Sequence, residues 1–150
     1  GMTGAGLHIL DAFLNLLGPV AKVRGQLVVH KPPPVPRDVA AVMVEFANGV
    51  SGRFSTVRAS PLYWRVHVFG DKASAESIGE HELLMHRGSG APERLTFEPV
   101  NALKAELEAF VDAIEDRAPF PVSDEDMIAT VGAFEAVVRA LESGETVTLP

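Results

Sequence analysis

Two runs that alternate apolar and polar residues enclose an Asn-Gly pair, and this pattern constrains the fold more than any other in the chain. The runs span residues 40–46 and 50–58, and Ala47-Asn48-Gly49 lies between them. Asn and Gly both tolerate a positive φ, so this arrangement is the strongest short-range signal for a β-hairpin. The sequence therefore predicts an antiparallel sheet.

Further strands are predicted on both sides of the hairpin. In residues 20–29, Val23 and Leu27 alternate with Arg24 and Gln26, which is typical of an antiparallel sheet covered on one face. Shorter strands are predicted at residues 64–69, 73–78, 82–86 and 94–97, and an edge strand at residues 147–149.

Three helices complete the pattern. The first is predicted from about Gly4 to Leu17, with Thr3 as its cap and Gly18-Pro19 as its stop. The second spans residues 102–116, and Ser123 caps the third. The predicted core faces of these two helices are Leu103, Leu107, Phe110, Val111 and Ile114, and then Met127, Ile128, Val131, Phe134, Val138 and Leu141. The order of elements predicts one α+β domain over residues 1–150, with one predominantly antiparallel open sheet and helices packed on one face.

Composition narrows the classes of function. The chain has no cysteine, which excludes disulfides, thiolate metal sites and a cysteine nucleophile. Residues 101–150 hold 11 acidic and 3 basic residues, so the net negative charge belongs to the closing helices and indicates a solvated face. We expect no nucleic-acid partner and no membrane span, because neither a basic aromatic patch nor a long apolar stretch is present. We expect a cytoplasmic protein.

One narrow polar stripe interrupts the apolar first helix. It consists of His8, Asp11 and Asn15, spaced i, i+3 and i+7, so the three side chains share one face. A carboxylate one turn from an imidazole can orient the ring for proton transfer. Alternatively, the stripe is the solvent-facing side of an ordinary amphipathic helix.

Two other patterns resemble known sites without matching them. His81 and His86 lie five residues apart, whereas the zinc-protease helix needs histidines at i and i+4. A metal-dependent enzyme built on these histidines is the weakest alternative, and we expect no metal site. Gly4-Ala5-Gly6 has Ile9 where a dinucleotide loop has its third glycine, so we expect no nicotinamide site in this chain.

The polar side of the predicted sheet is basic. It would carry Met43 together with Lys22, Arg24, Ser51, Arg53, Ser55, Arg65 and His67. Such a face suits a subunit interface or plain exposure to water, and an anionic ligand fits it less well because ligand sites are usually concave.

Four segments in order resemble the C-terminal domain of the Gfo/Idh/MocA oxidoreductases, the family of glucose–fructose oxidoreductase and inositol dehydrogenase. Gly6–Asp11 resembles the family's G-x-H-x-x-D helix, and Asp38–Gly49 resembles its F-x-N-G hairpin. Val68–Glu76 resembles its strand turn, and Phe110–Asp126 resembles its closing helix pair. Each motif is modest alone, but their order makes the resemblance specific.

The resemblance implies one half of a two-domain enzyme. An N-terminal Rossmann domain, absent from this chain, would bind NAD or NADP, and this domain would bind a sugar- or polyol-like substrate and form a homo-oligomer through its open sheet. His8 would be the catalytic histidine, and His8 and Asp11 would bind substrate. These residues alone are then not expected to bind a cofactor or to be catalytic.

Two features keep an alternative open. Many family members have an aspartate four residues before the histidine, where this chain has Gly4. The Rossmann half that the resemblance implies, with its E-K-P lysine, is also not in this chain, which opens directly on its first helix as the second half of a larger enzyme would. The alternative is a freestanding, non-catalytic oligomerisation or ligand-binding module with the same fold.

Overall fold

The computed structural model describes residues 6–28, 39–58, 61 and 63–150, so the predictions at Thr3, Gly4 and Val29 lie outside the described residues. The helices and strands, in chain order, are α1 Leu7–Leu17, β1 Val20–Val28, β2 Val39–Phe46, β3 Ser51–Val57, β4 Arg65–Phe69, β5 Ser74–Ile78, β6 Glu82–His86, β7 Glu93–Thr96, α2 Ala102–Ile114, α3 Asp124–Ser143 and β8 Val147–Thr148. None of the helices in these ranges has the length and apolar character needed to cross a bilayer.

The α+β class is confirmed, with the strands divided between two antiparallel sheets instead of one. The order of the first sheet is β3-β2-β1-β8, and that of the second is β4-β5-β6-β7. The chain accordingly forms two compact units, residues 1–61 with 122–150, and residues 62–121. Alternation along a strand reports which side is covered, but it carries no information about which strands pair.

The Asn-Gly hairpin is confirmed, in a three-residue form. Gly49 has a φ of 84° and donates its N–H to the Phe46 carbonyl oxygen, while the Phe46 N–H bonds to Val50. This is a turn followed by a left-handed glycine, a common hairpin connection. The Asn48 side chain links the hairpin to the end of α1, because its Nδ2 donates a hydrogen bond to the Leu17 carbonyl oxygen at 2.9 Å.

In the first unit, α1 and α3 pack on the same covered face of the sheet. Phe13 of α1 contacts Phe46 and Phe54, with ring centroids 6.2 and 6.0 Å away. Leu141 of α3 lies over Gly25, where an added Cβ would approach the Leu141 side chain to 2.6 Å. Gly25 therefore lets α3 approach β1 closely.

A β-bulge near the start of β1 sets which of its residues face the core. Val20 pairs with Phe46 and Lys22 with Glu45, so Ala21 is the extra residue. This shift allows both Val20 and Val23 to be buried although an odd number of positions separates them. From Lys22 onward the predicted alternation holds, with Lys22 and Arg24 exposed.

The predicted core face of α3 is wrong for its first two turns. Met127, Ile128 and Val131 are exposed. The side of α3 that packs on the sheet carries small residues, which allow a close approach, and its buried members are Ala133, Ala136, Val137, Ala140 and Leu141. The predicted Ser123 cap is confirmed, since its hydroxyl accepts the Asp126 N–H at 3.1 Å.

The second unit holds the meander β4 to β7 and the helix α2. Asn101 caps α2 by accepting the Lys104 N–H at 3.0 Å. The prediction of a buried apolar face is wrong here, because the apolar residues of α2 are exposed in the structure.

Candidate functional site

The polar stripe of α1 faces solvent while the opposite side of the helix is anchored in the core. Leu10 is fully buried and Phe13 nearly so, whereas His8, Asp11 and Asn15 are exposed. Gly18, with a φ of 86°, ends the helix and donates its N–H to Leu14. His8 therefore projects into solvent from a helix whose opposite side is anchored in the core.

Asp11 is held by α3 and not by His8. The Thr130 hydroxyl donates to Asp11 Oδ1 across 3.3 Å. Over the described part of the chain, no hydrogen bond or ion pair joins the side chains of His8 and Asp11. The carboxylate and the imidazole thus present separate polar groups on one face, with Asp11 Oδ2 available to a ligand.

Sequence reasoning missed Thr130, although a signal for it exists. The buried stripe of α3 runs through Ala133, Val137 and Leu141, and one turn back along that stripe lies Thr130. A hydroxyl in this place can reach α1, because α1 and α3 pack against each other.

Replacing Thr130 with valine is expected to lower the free energy of unfolding by about 1 kcal/mol or less, the usual worth of one hydrogen bond. The bond is exposed and long, and valine preserves the shape of the side chain. Urea denaturation measures the change, with Thr146→Val as the control at an exposed threonine. A loss of several kcal/mol would contradict a role limited to orienting Asp11.

The exposed face of the first sheet carries most of the predicted basic residues. Arg24, Met43 and Arg53 lie side by side across β1, β2 and β3, and all three are exposed. Lys22 is paired with Glu45 at 3.0 Å, and Ser51 and Ser55 complete the face. Arg65 and His67 do not belong to it, because β4 pairs into the other sheet.

A second polar cluster, which the sequence analysis did not recognise, lies on one face of the β4–β7 sheet. Glu76 is buried and pairs with Arg65 at 3.0 Å, and its other carboxylate oxygen is 3.9 Å from His86 Nε2. His67 Nε2 lies 3.0 Å from the Ser74 hydroxyl. The strand register brings these groups together, since His67 is opposite Glu76 and Ser74 opposite His86.

This second cluster has the character of a structural ion-pair network. The buried carboxylate is compensated by Arg65, as a buried charge requires. Three or more potential metal ligands do not converge anywhere in the described residues. His81 lies in the turn before β6, while His86 ends that strand.

The described start of α1 does not have the geometry of a dinucleotide-binding loop. Gly6, the residue directly before α1, already has helical angles, with φ at −66° and ψ at −36°, which differ from those of a phosphate-binding turn. A dinucleotide loop needs a strand and then a glycine-rich turn before the helix, with backbone N–H groups free to hold the pyrophosphate. The described start of α1 has neither.

The family model described as "Oxidoreductase family, C-terminal alpha/beta domain" matches residues 2–149. A search of curated proteins finds no match.

Solved structures match almost the whole chain. UDP-N-acetylglucosamine 3-dehydrogenase from Acidithiobacillus ferrooxidans is 23% identical, with a TM-score of 0.82, over 92% of this chain and 46% of its own. Aldose-aldose oxidoreductase from Caulobacter crescentus, complexed with glycerol, is 22% identical, with a TM-score of 0.79, over 96% and 46%. An oxidoreductase from Agrobacterium radiobacter, in complex with NAD+, L-tartaric acid and magnesium, is 18% identical, with a TM-score of 0.79, over 99% and 48%. The chain thus shares the fold of these proteins and spans about half their length.

Proposed function

Because the chain belongs to the Gfo/Idh/MocA oxidoreductase family, as its C-terminal alpha/beta domain, we propose that it is the substrate-binding and oligomerisation part of an NAD(P)-dependent oxidoreductase. The family match over residues 2–149 is the observation that carries this proposal. The proposal treats residues 1–150 as one such domain, acting in the cytoplasm.

A sugar- or polyol-like hydroxyl or carbonyl compound is the proposed substrate. Two of the solved structures are named for sugar substrates, an aldose and UDP-N-acetylglucosamine. Substrates of this kind present several hydroxyl groups, which suit an exposed imidazole and carboxylate on one helix face.

NAD or NADP is the proposed cofactor of the full-length enzyme. The related oxidoreductase from Agrobacterium radiobacter was solved with NAD+. The family resemblance assigns this cofactor to an N-terminal Rossmann domain, and none is expected on this chain alone.

His8 is the proposed catalytic residue, and its task is to handle the proton of the reacting oxygen. Its imidazole would bind the substrate oxygen, accept the hydroxyl proton on oxidation, and return it on reduction. Asp11 would accept a hydrogen bond from a neighbouring substrate hydroxyl through Oδ2, while Thr130 holds Oδ1. The anchoring of α1 by Leu10 and Phe13 supports this role, because a proton-transfer group needs a fixed position.

The coding region before residue 1 tests the proposal. We expect an in-frame G-x-G-x-x-G segment followed by an E-K-P segment. The protein expressed from that whole frame should reduce NAD+ or NADP+ with at least one member of a panel of aldoses, polyols and nucleotide sugars. A stop codon with a ribosome-binding site before Met2, together with no turnover on the panel, would contradict the enzyme hypothesis.

The alternative function is a freestanding, non-catalytic oligomerisation or ligand-binding module. The helical backbone of Gly6, in place of a phosphate-binding turn at the described start of α1, is compatible with it. The same coding region separates the two functions, because a module of this kind needs no upstream domain.

The exposed face of the first sheet is the proposed homo-oligomer interface. Met43 is 55% exposed at its centre, between Arg24 and Arg53. An apolar centre flanked by arginines resembles the composition of interface cores, where methionine and arginine are enriched.

Replacing Met43 with glutamate is expected to weaken association by about 2 kcal/mol, the scale of an interface hot spot. The introduced carboxylate would be desolvated at the centre of the interface. Sedimentation velocity over a concentration series measures the dissociation constant, with Ala47→Glu in the exposed hairpin as the matched control. A wild-type chain that stays monomeric at high micromolar concentration would reject the interface.

A further inference from the structure

The hairpin between β2 and β3 holds the end of α1 through two hydrogen bonds. Asn48 Nδ2 donates to the Leu17 carbonyl oxygen at 2.9 Å. The Ala47 N–H donates to the Pro19 carbonyl oxygen, also at 2.9 Å. Leu17 is the last residue of α1, and Pro19 lies between α1 and β1. The turn of the hairpin is therefore joined directly to the helix that carries His8.

The turn itself does not depend on the amide group of Asn48. It closes through the hydrogen bond from the Gly49 N–H to the Phe46 carbonyl oxygen at 2.9 Å. The Asn48 side chain serves the turn through Oδ1, which accepts the Val50 N–H at 3.1 Å. Aspartate would supply the same acceptor in the same kind of turn. Asparagine differs by adding an amide donor, and this donor is the group that reaches Leu17.

Helix α1 also ends without help from Asn48. The Gly18 N–H donates to the Leu14 carbonyl oxygen at 2.9 Å, so the backbone itself closes the last turn of the helix. The bond from Asn48 to Leu17 is exposed, and such a bond adds little net stability because water competes for both groups. Since neither the turn nor the helix end needs this bond, what it fixes is the position of α1 on the sheet.

An error in that position has its largest effect at the far end of α1. The buried side chains of Leu10 and Phe13 set which side of α1 faces the sheet. Apolar contacts are non-directional, whereas a hydrogen bond has a preferred distance and direction and so sets the angle of the helix. His8 precedes Leu17 by about 14 Å along the helix axis, so a tilt of about 5° at Leu17 would displace His8 by about 1 Å.

We propose that Asn48 is a positioning residue for His8, because its amide holds α1 at the angle that places the imidazole against the reacting oxygen. This rests on the proposed function, which makes His8 the group that handles the substrate proton. A displacement of about 1 Å can lower the rate of a reaction about 10²-fold. Asn48 touches neither substrate nor cofactor in this proposal and acts only through α1.

The variant Asn48→Asp tests the proposal, because it removes this one bond. A carboxylate cannot donate to Leu17, but it still accepts the Val50 N–H of the turn. In the protein expressed from the whole reading frame, kcat should fall about 10- to 100-fold while KM changes less than about threefold, since the displaced group acts in the chemical step. Ala47→Asp is the matched control, and its kcat should stay at the wild-type value. It puts the same charge on the neighbouring exposed residue and keeps the backbone bond to Pro19.

A double-mutant cycle with His8→Ala separates positioning from a loss of folded protein. Asn48→Asp should lower the residual kcat of His8→Ala by less than about twofold, because no imidazole is left to displace. A loss of folded protein would lower kcat by the same factor in both backgrounds. An equal fall in both backgrounds, or an unchanged kcat in Asn48→Asp alone, overturns the proposal and leaves the proposed function standing.

The angle of α1 gives a second measurement, which needs no turnover. Residual dipolar couplings of the amides of α1 and β2 in the 150-residue chain should show α1 turned by about 5° or more in Asn48→Asp. The angle in Ala47→Asp should match that of the wild type. An unchanged angle in Asn48→Asp overturns the proposal. A turned helix, together with a full-length protein that shows no turnover, supports the control of α1 by Asn48 and rejects the proposed function.

Discussion

Replacing His8 with alanine is expected to lower the turnover of the full-length enzyme by about 10²- to 10⁴-fold, the contribution of a positioned acid–base group. The stability of the fold should hardly change, because the side chain is exposed and the anchoring of α1 depends on Leu10 and Phe13. Initial rates in both directions, with the denaturation midpoint measured alongside, separate the two effects.

Two further variants sharpen the role of His8. His8→Asn keeps a polar side chain that can bind the substrate oxygen but cannot accept and return a proton. Its KM should therefore stay close to that of the wild type, while its kcat should fall. Asn15→Ala is the matched control, since Asn15 is exposed on the same stripe almost two turns further along. Unchanged turnover in His8→Ala would reject the catalytic assignment.

Replacing Phe46 with alanine is expected to destabilise the first unit by about 3–5 kcal/mol, as for other buried phenylalanines. Phe46 is 1% exposed and contacts Phe13, which fixes α1 on the sheet. An added Cβ at Gly52 would lie 3.3 Å from the Phe46 ring, so the backbone is close on this side and the vacated space cannot simply close.

Urea unfolding followed by circular dichroism measures the loss, and Phe97→Ala is the matched control. Phe97 is exposed, so the same chemical change there should cost about 0.5 kcal/mol or less. If Phe46→Ala and Phe97→Ala lower the midpoint equally, the aromatic contact between α1 and the sheet is not what stabilises the unit.

Local signals were enough for the elements that local chemistry controls. The Asn48-Gly49 hairpin and the Ser123 cap are confirmed because their hydrogen bonds lie within a few residues of the chain. The alternation of β1 beyond its bulge is confirmed because neighbouring side chains of a strand point to opposite faces.

Local signals did not predict which face of α3 is buried. A hydrophobicity pattern favours Met127, Ile128 and Val131 over the alanines, yet the alanines are buried. Close packing of α3 on β1, with Leu141 over Gly25, requires small side chains. That requirement becomes visible only when both elements are in place.

Some features of the candidate site could likewise be predicted from the sequence, and others required the tertiary structure. The spacing of His8 and Asp11 placed them on one exposed face of α1, as the structure has them. The bond from Thr130 to Asp11 joins residues 119 positions apart, and the cluster of His67 with Glu76 depends on strand register. Neither follows from periodicity, which describes one element at a time.

The sequence by itself determined the α+β class, the hairpin, the Ser123 cap and the polar stripe that carries His8, since these depend on backbone chemistry and on the period of a single helix or strand. The tertiary structure alone decided that the strands divide into two sheets, that α3 packs through its alanines, and that the apolar residues of α2 are exposed. The physical reason is that burial is a property of pairs of surfaces. An amphipathic helix carries an apolar side, but only a packed partner determines whether that side is core or interface.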